Sequence, residues 1–480
     1  MLLSPGSIKK IQASFKEKVL FGNEPSPELV AILLVYFVQG ILGLARLAVS
    51  FFLKDDLGLT PAQVSALMGI AAIPWVVKPL FGFLSDGLPI FGYRRRPYLV
   101  LSGLLGTLSW VALATVVDSA LTATVAIALS SLSVAVSDVI VDSLVVERAR
   151  SESASEAGSL QSVCWGASAV GGILTAYLSG FLLQHFSVQV VFLITSSFPL
   201  VVSGVAWLIS ETRVERGSDW SGVTTQVQQL WGAISQKSIW LPTAFIFLWQ
   251  ATPTADSAFF FFTTNELGFD AEFLGRVRLV TSVASLLGIW LFQRFLKAIP
   301  IRVILGWTTV ISMLLGLTTL LLVTHANRSL GIDDHWFSLG DSLILTVMGQ
   351  IAYMPILVLS ARLCPPGVEA TLFALLMSLW NLAGLLSQEF GAILTHWLGV
   401  TETNFDKLWL LVTLTNLSTL LPLPLLGWLP EGASQDVPVV EAPTVPAPAA
   451  LSEAEQPEVP ALSSLVPGRL RSEPLEEPVD

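Results

Sequence analysis

Apolar runs of about 20 residues follow one another almost from end to end of this chain, each closed by proline, glycine or a cluster of charge. About 20 apolar residues is what a helix needs to cross the hydrocarbon core of a bilayer. The pattern predicts helices near 28–53, 63–83, 98–117, 120–144, 158–183 and 188–209, then 239–263, 272–296, 301–323, 340–361, 367–396 and 405–428. The expected fold is an all-α integral membrane protein with twelve transmembrane helices in two six-helix halves, 28–209 and 239–428, separated by a polar loop at 210–238. A break in the middle suggests two bundles packed across a central pathway. Residues 1–27 are polar and basic and carry no cleavable signal, so the first span is expected to serve as its own insertion signal.

The loop charges add an orientation. Sixteen Lys and Arg residues fall on one side of this pattern, against Lys54, Arg328 and Lys407 on the other. Because cations are retained in the cytoplasm, both termini are expected there. Composition agrees: 53% of residues are hydrophobic and only 13% charged, where a soluble chain is about 25% charged. The acidic balance of the whole chain, -11, is mostly a property of its tail. Residues 429–480 hold ten acids against Arg469 and Arg471 among many Pro and Ala, and are expected to be disordered. A docking role and a plain solubilising role both remain open for that tail. Two cysteines, Cys164 and Cys364, make no disulfide framework. Internal repetition is faint: Glu156-Ala157-Gly158-Ser159-Leu160 resembles Glu369-Ala370-Thr371-Leu372.

Charges inside spans are costly, at least about 2.5–3.5 kcal/mol at the bilayer centre, so each is a candidate for function. Asp138 and Asp142 lie four apart on the fourth helix and share a face. Two carboxylates there need a proton, a cation or a donor-rich ligand, or else form a structural cluster with Lys78, Arg148 or Arg150. Arg46 lies too deep in the first helix for easy snorkelling; it could hold an anionic substrate group or pair with a carboxylate on another helix. Asp256 follows Pro253, where a kink is expected, and broken helices with polar residues line transporter sites. Gln250, Gln350 and Asn381 sit near helix centres, where interhelical hydrogen bonding is the competing role. Arg276, Arg278 and Glu389 rank below these, being near outer helix ends. No P-loop, CxxC, GxSxG or histidine cluster is present, so ATP-driven or enzymatic chemistry is not expected, and neither is a cofactor, a metal or a nucleic-acid partner.

Between the second and third helices the chain reads Lys78-Pro79-Leu80-Phe81-Gly82-Phe83-Leu84-Ser85-Asp86-Gly87-Leu88-Pro89-Ile90-Phe91-Gly92-Tyr93-Arg94-Arg95-Arg96-Pro97. The order Gly82, Asp86, Gly92 and then Arg94, Arg95 and Arg96 resembles the signature loop of the major facilitator superfamily, with a longer spacing from the acid to the second glycine. Together with Pro74-Trp75-Val76-Val77, Tyr36-Phe37-Val38-Gln39-Gly40, Lys54-Asp55-Asp56-Leu57-Gly58 and Asp142-Ser143-Leu144-Val145-Val146-Glu147-Arg148, it is similar to the folate-biopterin transporter family in its cyanobacterial and plastid branch. The resemblance covers roughly residues 20–430. It implies a secondary transporter, not an enzyme, that takes up folates or related pterins with protons, works as a monomer and has no prosthetic cofactor. It also implies that Asp86 and the arginines form a cytoplasmic conformational latch. A bacterial plasma membrane is expected rather than a plastid envelope. A pterin ring offers a donor pair that one carboxylate can accept in bidentate fashion. An acid among Asp138, Asp142 and Asp256 is therefore expected to read the ring, and Arg46 to attract the anionic tail. Another organic anion, or a role in assembling a pigment complex, would suit the same scaffold.

Overall fold

A computed structural model describes residues 25–149, 159–213, 232, 235–363 and 369–432. The described chain is almost wholly helical, its one β-bridge joining Ile90 and Tyr93. Ten helical segments are long and apolar enough to cross a bilayer. Two further ones, the broken segment from Lys237 to Glu266 and the helix Glu369–Leu398, occupy the places expected for the seventh and eleventh spans. The central loop between 214 and 234, apart from Gly232, and the acidic tail from 433 onward lie outside the described residues.

Local chemistry explains where the helices begin. Helix α1 (Pro27–Ile41) starts with Pro27 behind Ser26, whose hydroxyl accepts the Leu29 N–H at 3.1 Å. It stops at Leu42–Gly43, and α2 (Leu44–Phe51) continues the same span. The second span is in three pieces: α3 (Pro61–Ala71), α4 (Ile73–Val76) and α5 (Lys78–Gly87), with prolines at the start of each. Thr60 and Gln63 close the start of α3 with a reciprocal capping box. Four longer helices follow: α6 (Arg96–Thr115), α7 (Ala120–Ala149), α8 (Ser159–His185) and α9 (Val188–Val205).

The later helices are α10 (Lys237–Gln250) and α11 (Asp256–Phe261), then α12 (Ala271–Leu291), α13 (Ile301–Gly316), α14 (Thr319–Val323) and α15 (Ala326–Ser329). Helices α16 (Asp334–Arg362), α17 (Glu369–Leu398) and α18 (Leu408–Ser418) complete the set. α16 begins six residues ahead of the expected 340. Its first turn, Asp334-His335-Trp336, is polar, so hydropathy alone misses it, but Asp334 is held there by Arg328 at 2.7 Å and Asn327 at 2.6 Å.

A repeat stronger than the expected one appears on the chain. Phe51-Phe52-Leu53-Lys54-Asp55-Asp56-Leu57-Gly58-Leu59-Thr60 matches Phe261-Phe262-Thr263-Thr264-Asn265-Glu266-Leu267-Gly268-Phe269-Asp270. Both copies leave the α-helix through a π-turn, Phe52–Asp56 and Phe262–Glu266. Both place glycine at positive φ, Gly58 at 61° and Gly268 at 69°. Both then cap the next helix, with Thr60 or Asp270. Even the backbone bonds repeat: Leu57 N–H to Phe52 O at 3.0 Å, and Leu267 N–H to Phe262 O at 3.1 Å. The Glu156 segment expected to carry a repeat lies outside the described residues.

Helices from the two parts of the chain meet along α3–α17 and α8–α12. Small residues allow the second crossing: a Cβ on Gly180 would collide with the backbone of Ala271 and Gly275. Contacts between the parts concentrate at the end that carries residues 54–60 and 262–270. There Phe51 meets Phe260 edge-on at 5.3 Å, Lys54 lies over the Phe261 ring at 6.0 Å, and Tyr177 donates to Glu272 at 3.3 Å. The apolar cluster at this end joins Phe52, Leu53 and Phe192 to Phe261. At the opposite end the clusters are separate. One, around Ile32, Leu99 and Ile140, draws only on residues before 210; the other, around Phe245, Leu305 and Leu359, only on residues after 238.

Candidate functional site

Three of the expected residues form one cluster. The break at Val77 puts Lys78 in the first turn of α5, and its Nζ pairs with Asp138 and, at 3.0 Å, with Asp142 Oδ2. The acids sit one turn apart on α7, so a single ammonium reaches both. Tyr36 on α1 donates its hydroxyl to the other oxygen of Asp142 at 2.5 Å. The Lys78 and Asp138 side chains are 16% and 12% exposed, while Asp142 is 43% exposed and so faces open space. The Trp75 ring lies 5.9 Å from the lysine nitrogen, and Asn381 on α17 donates to the Trp75 carbonyl at 3.2 Å. Two carboxylates facing one ammonium leave one negative charge, which a proton or a cationic group could take up. The Gln39 side chain lies beside Asp138 in this cluster.

Asp256 is placed differently. Residues 251–255 break the seventh segment, and Asp256 opens α11 with its N–H on the Thr254 hydroxyl at 3.3 Å. Asp256 and Gln250 line a cavity of about 590 Å³ within the later helices, together with Asp341, Ser387, Gln388 and Asn416. That volume is within the range of small-molecule sites. Asp341 on α16 accepts hydroxyl bonds from Thr318 and Thr319, each at 2.7 Å. Neither acid has a cationic partner among the described residues. Ser387 donates to the Thr252 carbonyl at 2.5 Å and Ser65 donates to Gln388 at 3.0 Å, holding the broken backbone and the cavity rim in place. Gln350 does not line this cavity; it packs against Gly288 where α12 and α16 cross.

Arg46 is exposed on α2, three residues past the break at Gly43. The expected alternatives for it included a carboxylate partner, and among the described residues it has none. By the repeat, Arg46 and Asp256 occupy equivalent places: each lies five residues before the matching Phe51 and Phe261, and each follows a broken helix. Arg276 is at the surface and pairs with Glu272 at 2.6 Å, one turn away on its own helix. Glu389 on α17 reaches Gly69 on α3, with its Oε1 buried and unpartnered.

The signature loop is tied to its own half. Gly92 and Phe91 turn it with φ of 83° and 54°. The backbone N–H groups of Arg94, Arg95 and Arg96 then converge on the Glu211 carboxylate at 2.5, 3.0 and 3.1 Å, an anion seated at the start of α6. The Arg96 side chain clasps the Ile209 carbonyl, and Arg95 reaches Ser85 at 3.3 Å. At Gly82 α5 lies near Val139, while the Asp86 side chain lies outside the described residues, as do those of Arg148 and Arg150. Tyr36, Glu211 and Asp341 were not singled out from the sequence. A glutamate just past a helix end and an aspartate near one look like ordinary interface charges until their partners are known.

The chain is 66% identical over 420 residues to the folate-biopterin transporter of Synechocystis sp., covering 88% of this chain and 85% of that one. It is 35% identical to the probable folate-biopterin transporter 2 of Arabidopsis thaliana, over 82% and 81% of the two chains. The solved D-xylose-proton symporter superposes with a TM-score of 0.62 at 14% identity, covering 85% of this chain and 98% of that one, and the nucleoside transporter NupG with 0.61 at 12%, covering 84% and 98%. These two superpositions show a shared major facilitator-like fold, and the relatives at 66% and 35% identity mark the chain as a membrane transporter rather than an enzyme. A model of the BT1 family matches residues 39–443, and the chain belongs to that family.

Proposed function

We propose that this protein carries folates or related pterins across a bacterial plasma membrane by alternating access, with protons as the coupling ion, as a monomer of twelve spans with both ends inside. The observation that carries the reading is the pair of carboxylates, Asp256 and Asp341, lining a cavity of about 590 Å³ with no cation paired to either among the described residues. A pterin ring, with its N–H beside an amine, supplies the donor pair that such a carboxylate lacks. Similarity to relatives named as folate-biopterin transporters supports the substrate class.

Asp256 reads the ring in this scheme, and Arg46 attracts the anionic tail. Asp138 and Asp142, already facing Lys78, take the coupling role instead: a proton shared by the pair would leave Lys78 to one carboxylate alone. If the end bearing residues 54–60 is the outer face, as the loop cations suggest, the closed contacts there describe an inward-facing state. The Asp86–Arg94–Arg95–Arg96 loop then forms its latch in the opposite state.

The test is uptake of labelled folate into liposomes holding the purified protein, with and without an inward proton gradient. Uptake stimulated by the gradient supports both substrate and coupling. Uptake indifferent to it removes the proton, and no uptake of folate or biopterin by folded protein overturns the reading.

A further inference from the structure

Arg278 on α12 does not snorkel outward as its place near a helix end would suggest. It is half-buried, and its Nη1 reaches across to the Gly43 carbonyl at 3.5 Å. The same carbonyl accepts the Arg46 N–H at 3.2 Å, because the break in the first span frees it from a regular helical bond. Arg278 thus lies against the turn that carries Arg46. One long contact leaves most of its five donors unused, and no carboxylate pairs with either guanidinium among the described residues. Two unpaired cations from opposite parts of the chain, within membrane-spanning helices, need an anion between them.

We infer that Arg46 and Arg278 together clamp a carboxylate of the substrate, one guanidinium from each half, and that Arg278 is the residue separating carboxylate-bearing folates from neutral pterins. The inference rests on the folate reading and deepens it. Planar guanidinium forks hold carboxylates in bidentate fashion, which an ammonium cannot do. The clamp has both arms only while the halves meet at this end.

The experiment is equilibrium binding of folate and of biopterin, which lacks a carboxylate, to the full-length protein in lipid nanodiscs. Arg278→Gln is expected to weaken folate at least tenfold and biopterin less than twofold. Arg276→Gln, two residues away on the surface, is expected to change neither. Should the glutamine variant not fold, Arg278→Lys keeps the charge without the fork and is expected to weaken folate severalfold while sparing biopterin. Equal losses for both ligands, no loss for either, or the same loss in Arg276→Gln would overturn the clamp while leaving folate transport standing. Wild-type protein that binds neither ligand would overturn the folate reading and the clamp with it.

Discussion

The first span of each half uses one backbone device with opposite chemistry. Both are broken near the middle, at Leu42–Gly43 and at 251–255, and both leave through the same π-turn, glycine and cap. Yet the position after the break is a cation in one, Arg46, and an acid in the other, Asp256. The acids differ too: Asp138 and Asp142 are held by Lys78, whereas Asp256 and Asp341 face a cavity with no cation paired to them among the described residues. The difference teaches that two copies of one backbone frame can carry side chains of opposite charge at the same place.

The largest effect expected from breaking that contrast is on stability. Lys78→Met should destabilise the protein by about 3–5 kcal/mol, because it strands two carboxylates near one another in a mostly buried cluster. Thermal unfolding in detergent measures it, and adding Asp138→Asn should restore part of the loss; an unchanged transition would mean the cluster is structurally idle. Asp256→Asn has no buried partner to strand, so its unfolding should stay near wild type while folate uptake falls about 100-fold, or about 2.7 kcal/mol. Equal damage to stability and uptake would dissolve the distinction between paired and free acids. Arg46→Gln should raise the folate concentration for half-maximal uptake about tenfold, worth about 1.4 kcal/mol, and leave biopterin nearly untouched. Smallest are the shared features: Gly58→Ala and Gly268→Ala each put a side chain at positive φ and should each cost about 1 kcal/mol. Unequal costs at the two glycines would show that the repeat is one of sequence more than of energetics.

Much of the frame was legible in hydropathy. Runs near 98–117 and 188–209 correspond to helices Arg96–Thr115 and Val188–Val205 with its closing turn, because a lipid-facing helix must be apolar over its whole length. Hydropathy is weaker where function interrupts it. The polar first turn of α16 went unseen, and the seventh segment reads as one run although it is two helices around Thr252-Pro253-Thr254. The repeat at Phe51 and Phe261 was on the page as letters, but the π-turn that gives it meaning is a property of backbone bonds.

The site divides along the same line. Cost of burial alone singled out Asp138, Asp142, Arg46 and Asp256, since a charge within a span needs a reason wherever it points. Which charge meets which partner was decided only by packing. Lys78 and Asp138 are 60 residues apart, and Tyr36 and Asp142 are 106. Arg278 was ranked as a snorkelling end residue, and it turned inward because Gly180 and Gly275 let α8 and α12 approach closely enough to bring it to Gly43. The sequence by itself determined the class of protein, most of its long apolar helices and the costly charges, because each depends on a residue and its near neighbours against the bilayer. The tertiary structure alone decided which charges are neutralised and which face a cavity, because those depend on contacts between helices distant along the chain.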